Sequence, residues 1–427
     1  MEAFDLTSET VPEAPPVRPA VVYADCRAAL EIAWQNGLSR DVPVRSVAPA
    51  VLADTAIGAE PAVDHLSPGN ISLFTEALVA TVHDVWQALR GSALMTDVED
   101  AEQIALVAIR TVLTDLQNEI FVAALLREED FSAETIAVTA RHEAADMRRR
   151  FYFGAARMLA EAGQALIIEV PADKLPVIDE PAPPKPPLWA RLSHLGMDTA
   201  IYRLGIVLYR YVPFAAPRGG VFILRENELV KETAARLLKR GYGLYALAPI
   251  GGKEADVGPL AQVVDDAIET AIGKNFRDLL APTALGLVAR HVAQAAVVNL
   301  GRYRSSLPRW RSIMEQRRGL RPSAVLTNML LTPETLGLSR VLRERGVPFI
   351  VFQHGVTAEI NSDIEHRSFS FDNVGFDLAI TFNEEMVRLC ADSSFGGAPA
   401  VAVGLPKDYQ RVARRRGRTD TVWYVST

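Results

Sequence analysis

A histidine and a glycine at the end of a run of strand-forming residues can bring an imidazole to a binding crevice. Such a run is PFIVFQHG, from Pro348 to Gly355. Its apolar part, rich in β-branched and aromatic types, suits a strand buried on both faces of a parallel sheet. The run stops on Gln353, His354 and Gly355, and ligands of open α/β sheets sit beyond the carboxyl ends of the strands. There His354 could act as a general base, or as a neutral donor to a phosphate or sugar oxygen, and Gly355 would let backbone approach the ligand closely. The plain alternative is that His354 caps its strand.

Four further strand ends deliver polar residues to the same rim: Arg225, Glu226 and Asn227; Thr327 and Asn328; Asn383 and Glu384; and Gly404 to Lys407. Asn383 with Glu384, and Glu226 with Asn227, can equally be helix caps, and Gly404 to Pro406 a simple turn. The polar stretch Glu359 to Asp372 contains Asp363, Glu365 and His366 and could close over a substrate; solvated surface is its ordinary reading. No G-x-G-x-x-G after a strand, P-loop lysine, H-E-x-x-H or C-x-x-C occurs, which weighs against dinucleotide oxidoreductases, NTPases and zinc hydrolases. No metal ion is expected, because no D-x-D carboxylate pair ends a strand to hold one, and no cofactor is expected.

These residues must be positioned by a chain of 427 residues, 49% hydrophobic and 23% charged, long enough for two or three cores. A formal charge of −7 argues against nucleic-acid binding. The short basic tracts Arg148 to Arg150 and Arg411 to Arg418 suit solvated helix faces or acidic lipid headgroups. Cys26 and Cys390 lie too far apart in sequence for a metal motif or a disulfide framework. The acidic, proline-bearing N-terminus is unlike a signal peptide and no stretch is apolar enough to span a bilayer, so a cytoplasmic protein is expected.

The expected fold class is α/β: two Rossmann-like α/β domains with parallel sheets and helical insertions, joined by a Pro-rich linker. Residues 1–20 read as a disordered tail. Residues 21–170 form the N-terminal domain, with strands at Val21 to Asp25, Val42 to Val47, Thr135 to Thr139 and Ala165 to Val170. Its helices are expected at Cys26 to Asn36, Leu73 to Leu89 and Asp97 to Leu126. The linker is 171–188. Residues 189–419 alternate strands and helices after a basic amphipathic lead-in to Tyr211, which specifies a parallel, doubly wound sheet. Residues 420–427 (DTVWYVST) read as the first strand of a further domain.

FQHG at 352–355, DLAITFNEE at 377–385, VGLPKDY at 403–409 and VWYVST at 422–427 resemble the N-terminal half of bacterial GT-B-fold glycosyltransferases that build surface carbohydrates. The resemblance covers roughly residues 220 to 427. It implies a metal-independent transferase, or its N-terminal portion, with a nucleotide-sugar donor and a glycan or lipid-linked acceptor. It also implies a nucleotide-binding domain beyond Thr427. By the same resemblance His354 lines the cleft where the acceptor hydroxyl meets the activated sugar and is the expected catalytic residue; Gln353, Gly355, Asn328, Arg225, Glu226, Asn383, Glu384 and Lys407, by their place at the strand ends, are expected to bind substrate. Peripheral contact with the inner face of the membrane fits such an acceptor. A sugar-nucleotide epimerase or glycerophosphate-type transferase on the same fold, and a noncatalytic scaffold, remain the alternatives.

Overall fold

The computed structural model describes residues 3–5, 19–46, 48–61, 68–96, 100–116, 135–141, 166–171, 197–211, 216–280, 282–328, 332–353, 373–393, 395 and 397–405. It is an α/β protein with two all-parallel sheets packed with helices. The chain divides into two compact units. Unit 1 is Met1–Lys185, Gly251–Trp310 and Leu331–Arg340; unit 2 is Pro186–Ile250, Arg311–Leu330 and Val341–Thr427.

Unit 1 is built on sheet A. Its strands are β1 (Ala3–Asp5), β2 (Val21–Ala24), β3 (Val44–Ser46), β4 (Glu60–Pro61), β5 (Thr135–Arg141) and β6 (Leu166–Pro171), in the order β1-β6-β5-β2-β3-β4. Helix α1 (Arg27–Gln35) follows β2, and α2 (Pro49–Leu52) follows β3. Then come α3 (Pro68–Gly91), α4 (Ala93–Thr96) and α5 (Ala101–Thr111), the last continuing as a π-helical turn over Val112–Leu116. The apolar face of α1, with Ala29, Leu30 and Ala33, closes over Val22, Ala24, Ile136 and Val138. Three residues of the expected tail 1–20 thus add a strand: Ala3 pairs with Ile167 and Asp5 with Glu169. An edge strand needs only backbone groups on one side, so a short segment suffices where no amphipathic pattern announces it.

Unit 2 is built on sheet B. After α6 (Met197–Tyr211) come β7 (Gly220–Ile223), α7 (Glu228–Lys239) and β8 (Gly243–Ala246). Helices α8 (Leu260–Asn275) and α9 (Pro282–Gln316) lead to β9 (Pro322–Thr327), α10 (Pro333–Glu344) and β10 (Phe349–Phe352). Strand β11 (Leu378–Thr381), α11 (Glu384–Ala391) and β12 (Ala400–Ala402) complete the described part. The sheet order is β12-β11-β10-β9-β7-β8. Its core joins Val221, Ile223, Leu326 and Phe352 of the sheet to Leu229, Val230, Ala234 and Ala235 of α7.

The chain divides differently from a simple cut at a linker. Gly251–Trp310, which holds α8 and most of α9, clusters with sheet A. Within unit 1, Lys274 Nζ and Asn275 Nδ2 on α8 both donate to Asp84 Oδ2 on α3 at 2.8 Å, and Phe276 stacks on Phe74. Beyond Pro171, the Pro-rich segment 171–188 lies outside the described residues, as do the polar stretch Glu359 to Asp372 and the expected strand 420–427.

Candidate functional site

The carboxyl rim of sheet B is where the topology reverses. From β7 the chain moves first to β8 on one side, then to β9 on the other, and continues outward through β10, β11 and β12. The gap between the ends of β7 and β9 is therefore the switch point, the position at which an open α/β sheet leaves a crevice.

The sequence after β7 supplies both the turn and its anchor. Asn227 is extended, and its Oδ1 accepts from the Val230 N–H at 2.9 Å, capping α7. Its Nδ2 donates to the Gln353 carbonyl at 2.9 Å, so one side chain reaches past the end of β9 to the end of β10. Gln353 is buried; its N–H donates to the Ile380 carbonyl and its Oε1 accepts from the Phe382 N–H at 2.7 Å. That amide oxygen clamps the end of β11. Asn383 is likewise a cap: its Oδ1 accepts from Met386 N–H at 2.9 Å, and its carbonyl accepts from the buried Thr381 hydroxyl.

Around these clamps stand the groups with reach. Arg225 is exposed directly after β7, and Asn328 is half-buried directly after β9. Glu226 accepts a hydrogen bond from the Tyr202 hydroxyl of α6 and lies 3.9 Å from Lys231 Nζ. Burial, and then the bond to Glu226, push the Tyr202 phenol well above its ordinary range. Glu384 is exposed in the first turn of α11, where the helix dipole favours a negative charge. His354, Gly355 and Lys407 lie outside the described residues.

Two features at strand ends had no place in the sequence reading. Arg317 stacks over Phe222 of β7 at 5.6 Å, and its Nη1 donates to the Ala246 carbonyl at the end of β8. Burial lowers its pKa. Arg317 therefore reaches the end of β8, whereas Arg225, after β7, stands just before the N-terminus of α7, a setting that suits an anion. Only the three-dimensional order makes Arg317 visible, since in sequence it closes a helix far from β7.

The other feature is the reversal of sheet A between β2 and β5. Asp25, buried just past β2, accepts from the Thr139 hydroxyl on β5, and its N–H donates to the Val138 carbonyl. Ser46 Oγ donates to the Ala24 carbonyl at 2.5 Å. VVYAD, an apolar strand ending on an acid, was the available signal.

Among the described residues, no three His, Cys, Asp or Glu side chains gather closely enough to hold a metal ion. No described helix is long and apolar enough to cross a membrane. Comparison of the chain with protein-family models, curated proteins and solved structures finds no match.

Proposed function

We propose that the carboxyl rim of sheet B lines the reaction cleft of a nucleotide-sugar-dependent glycosyltransferase and that unit 2 takes part in transferring the sugar to a glycan or lipid-linked acceptor. The observation supporting this reading is the switch point between β7 and β9, with Arg225 after β7 just before the N-terminus of α7. An anionic leaving group is the ligand such a setting favours. In the reaction, His354 takes the proton of the acceptor hydroxyl as its oxygen bonds to the anomeric carbon. The bond from that carbon to the phosphate oxygen breaks, and its electron pair leaves with the nucleotide. The cations at the rim offset the charge that develops there.

The test is nucleotide release from a panel of UDP- and CMP-sugars with candidate acceptors. Free nucleotide that accumulates only with acceptor supports transfer. An isomerised sugar nucleotide overturns it in favour of an epimerase, and failure of every nucleotide sugar to bind favours a noncatalytic module. His354→Ala should lower turnover by ~10²-fold or more, the usual loss with a general base, while the melting temperature stays near that of wild type. A variant that melts several degrees lower but turns over normally per folded molecule makes His354 a strand cap.

A further inference from the structure

Helix α6 carries an apolar face on each side. Its inner face, with Tyr202, Gly205 and Tyr209, is buried against α7 and the edge strand β8. Tyr209 meets Tyr245 of β8 edge-on, with ring centroids 5.3 Å apart. On the opposite side, Met197 is 74% exposed, Leu204 69%, Val207 51%, Leu208 46% and Tyr211 74%. At 100° per residue these five fall within one arc about 100° wide. Such an arc is as broad as the stripe that ordinarily faces a core, yet here it faces outward.

Charge decides what could cover it. Arg203 and Arg210, both exposed, lie side by side along one border of the arc. No carboxylate falls within the arc, and the nearest acid on the helix, Asp198, is engaged by Lys239 Nζ at 3.0 Å. A second copy of the chain laid along this face would bring four arginines together with no acid between them. An anionic lipid surface meets both needs: acyl chains take the leucines, valine, methionine and tyrosine ring, and phosphates take the guanidinium groups at the headgroup level.

The geometry points to α6 as an interfacial helix that docks unit 2 on an anionic bilayer, lying in the plane of the headgroups without crossing the membrane. A helix of this length covers about 22 Å of surface. The assignment is independent of the reaction proposed at the rim of sheet B.

The experiment floats the full chain with vesicles of phosphatidylcholine alone or mixed with phosphatidylglycerol. Binding is expected to the mixed vesicles, weakening as salt rises. Arg203→Gln with Arg210→Gln should weaken it about 30-fold, roughly fivefold for each cation. Leu204→Asp with Val207→Asp should abolish it. Both pairs are exposed, so thermal melts should match wild type. Equal binding to neutral and mixed vesicles overturns the assignment. So does unchanged binding by the arginine variant, which would move the contact to another basic tract such as Arg411 to Arg418. Absence of vesicle binding, with sedimentation showing a dimer that the aspartate variant splits, assigns the face to a second copy.

Discussion

Tyr202 joins α6 to the rim of sheet B through one hydrogen bond. Its phenol is buried and donates to Glu226, whose carboxylate is partly open to water. An unfolded tyrosine ionises near pH ~10, whereas burial and the Glu226 bond keep the folded one protonated well beyond that. The unfolded chain therefore releases a proton that the native one retains, and native stability falls as pH rises above ~10. Below that pH the contribution is complete. Tyr202→Phe removes the titration along with the bond. At pH 8 it should lose about 0.5–1.5 kcal/mol, because water can serve the Glu226 oxygen that is left. Between pH 10 and 11 its stability should decline less steeply than that of wild type. Denaturant melts of both proteins at these pH values measure the two slopes, and parallel slopes would mean that the phenol ionises in the folded protein as it does in water.

At the scale of elements, the contact between α6 and sheet B depends on what is missing at Gly205. A Cβ there would lie 2.7 Å from Leu238 Cδ2 and 3.0 Å from Leu244 Cδ1. Both are terminal methyls that can shift a little, and alanine in a helix gains up to ~1 kcal/mol over glycine. Gly205→Ala should therefore be near neutral. Gly205→Val adds branched methyls that small shifts cannot admit, and should lose about 1–3 kcal/mol in chemical melts. If valine is as stable as glycine, α6 does not pack this closely on β8.

The same element shows what the sequence could and could not reveal. Apolar periodicity marks the basic lead-in to Tyr211 as amphipathic, but it does not say that one apolar side is spent on the fold and the other left open. The strand run ending in FQ is legible because β-branched and aromatic residues crowd a buried parallel strand; β10 spans Phe349–Phe352. The alternation of strand and helix likewise implies the parallel order of sheet B. Gln353 was legible as a polar residue at a strand end, but not its sideways bond to Phe382, which depends on β11 lying next to β10. Asn383 carried both readings, cap and ligand contact, and its bond to Met386 is that of a cap.

At the scale of the molecule, sequence order and spatial units diverge. Periodicity shows that α8 and α9 have apolar faces but not which partner those faces seek. In unit 1, α3 offers Asp84 to Lys274 and Asn275 of α8, and Phe74 stacks on Phe276. Further along, Tyr303 donates to Asp100, and Asn299 donates to the Thr111 hydroxyl. A fragment ending at Lys185 keeps every strand of sheet A but lacks all of these partners. The buried side chains Val82, Val85, Trp86 and Leu89 of α3 would then lose part of their cover, and each large apolar side chain left in water forfeits about 1.5–3 kcal/mol. Against a typical total stability of about 5–15 kcal/mol, a few such losses suffice to unfold a domain. Residues 1–185 expressed alone should be aggregated or should bind a hydrophobic dye without a cooperative melt. Co-expression with residues 186–427 should restore a soluble complex with a cooperative transition. A cooperative melt of the isolated fragment would show instead that α3 and α5 complete a core with sheet A without α8 and α9.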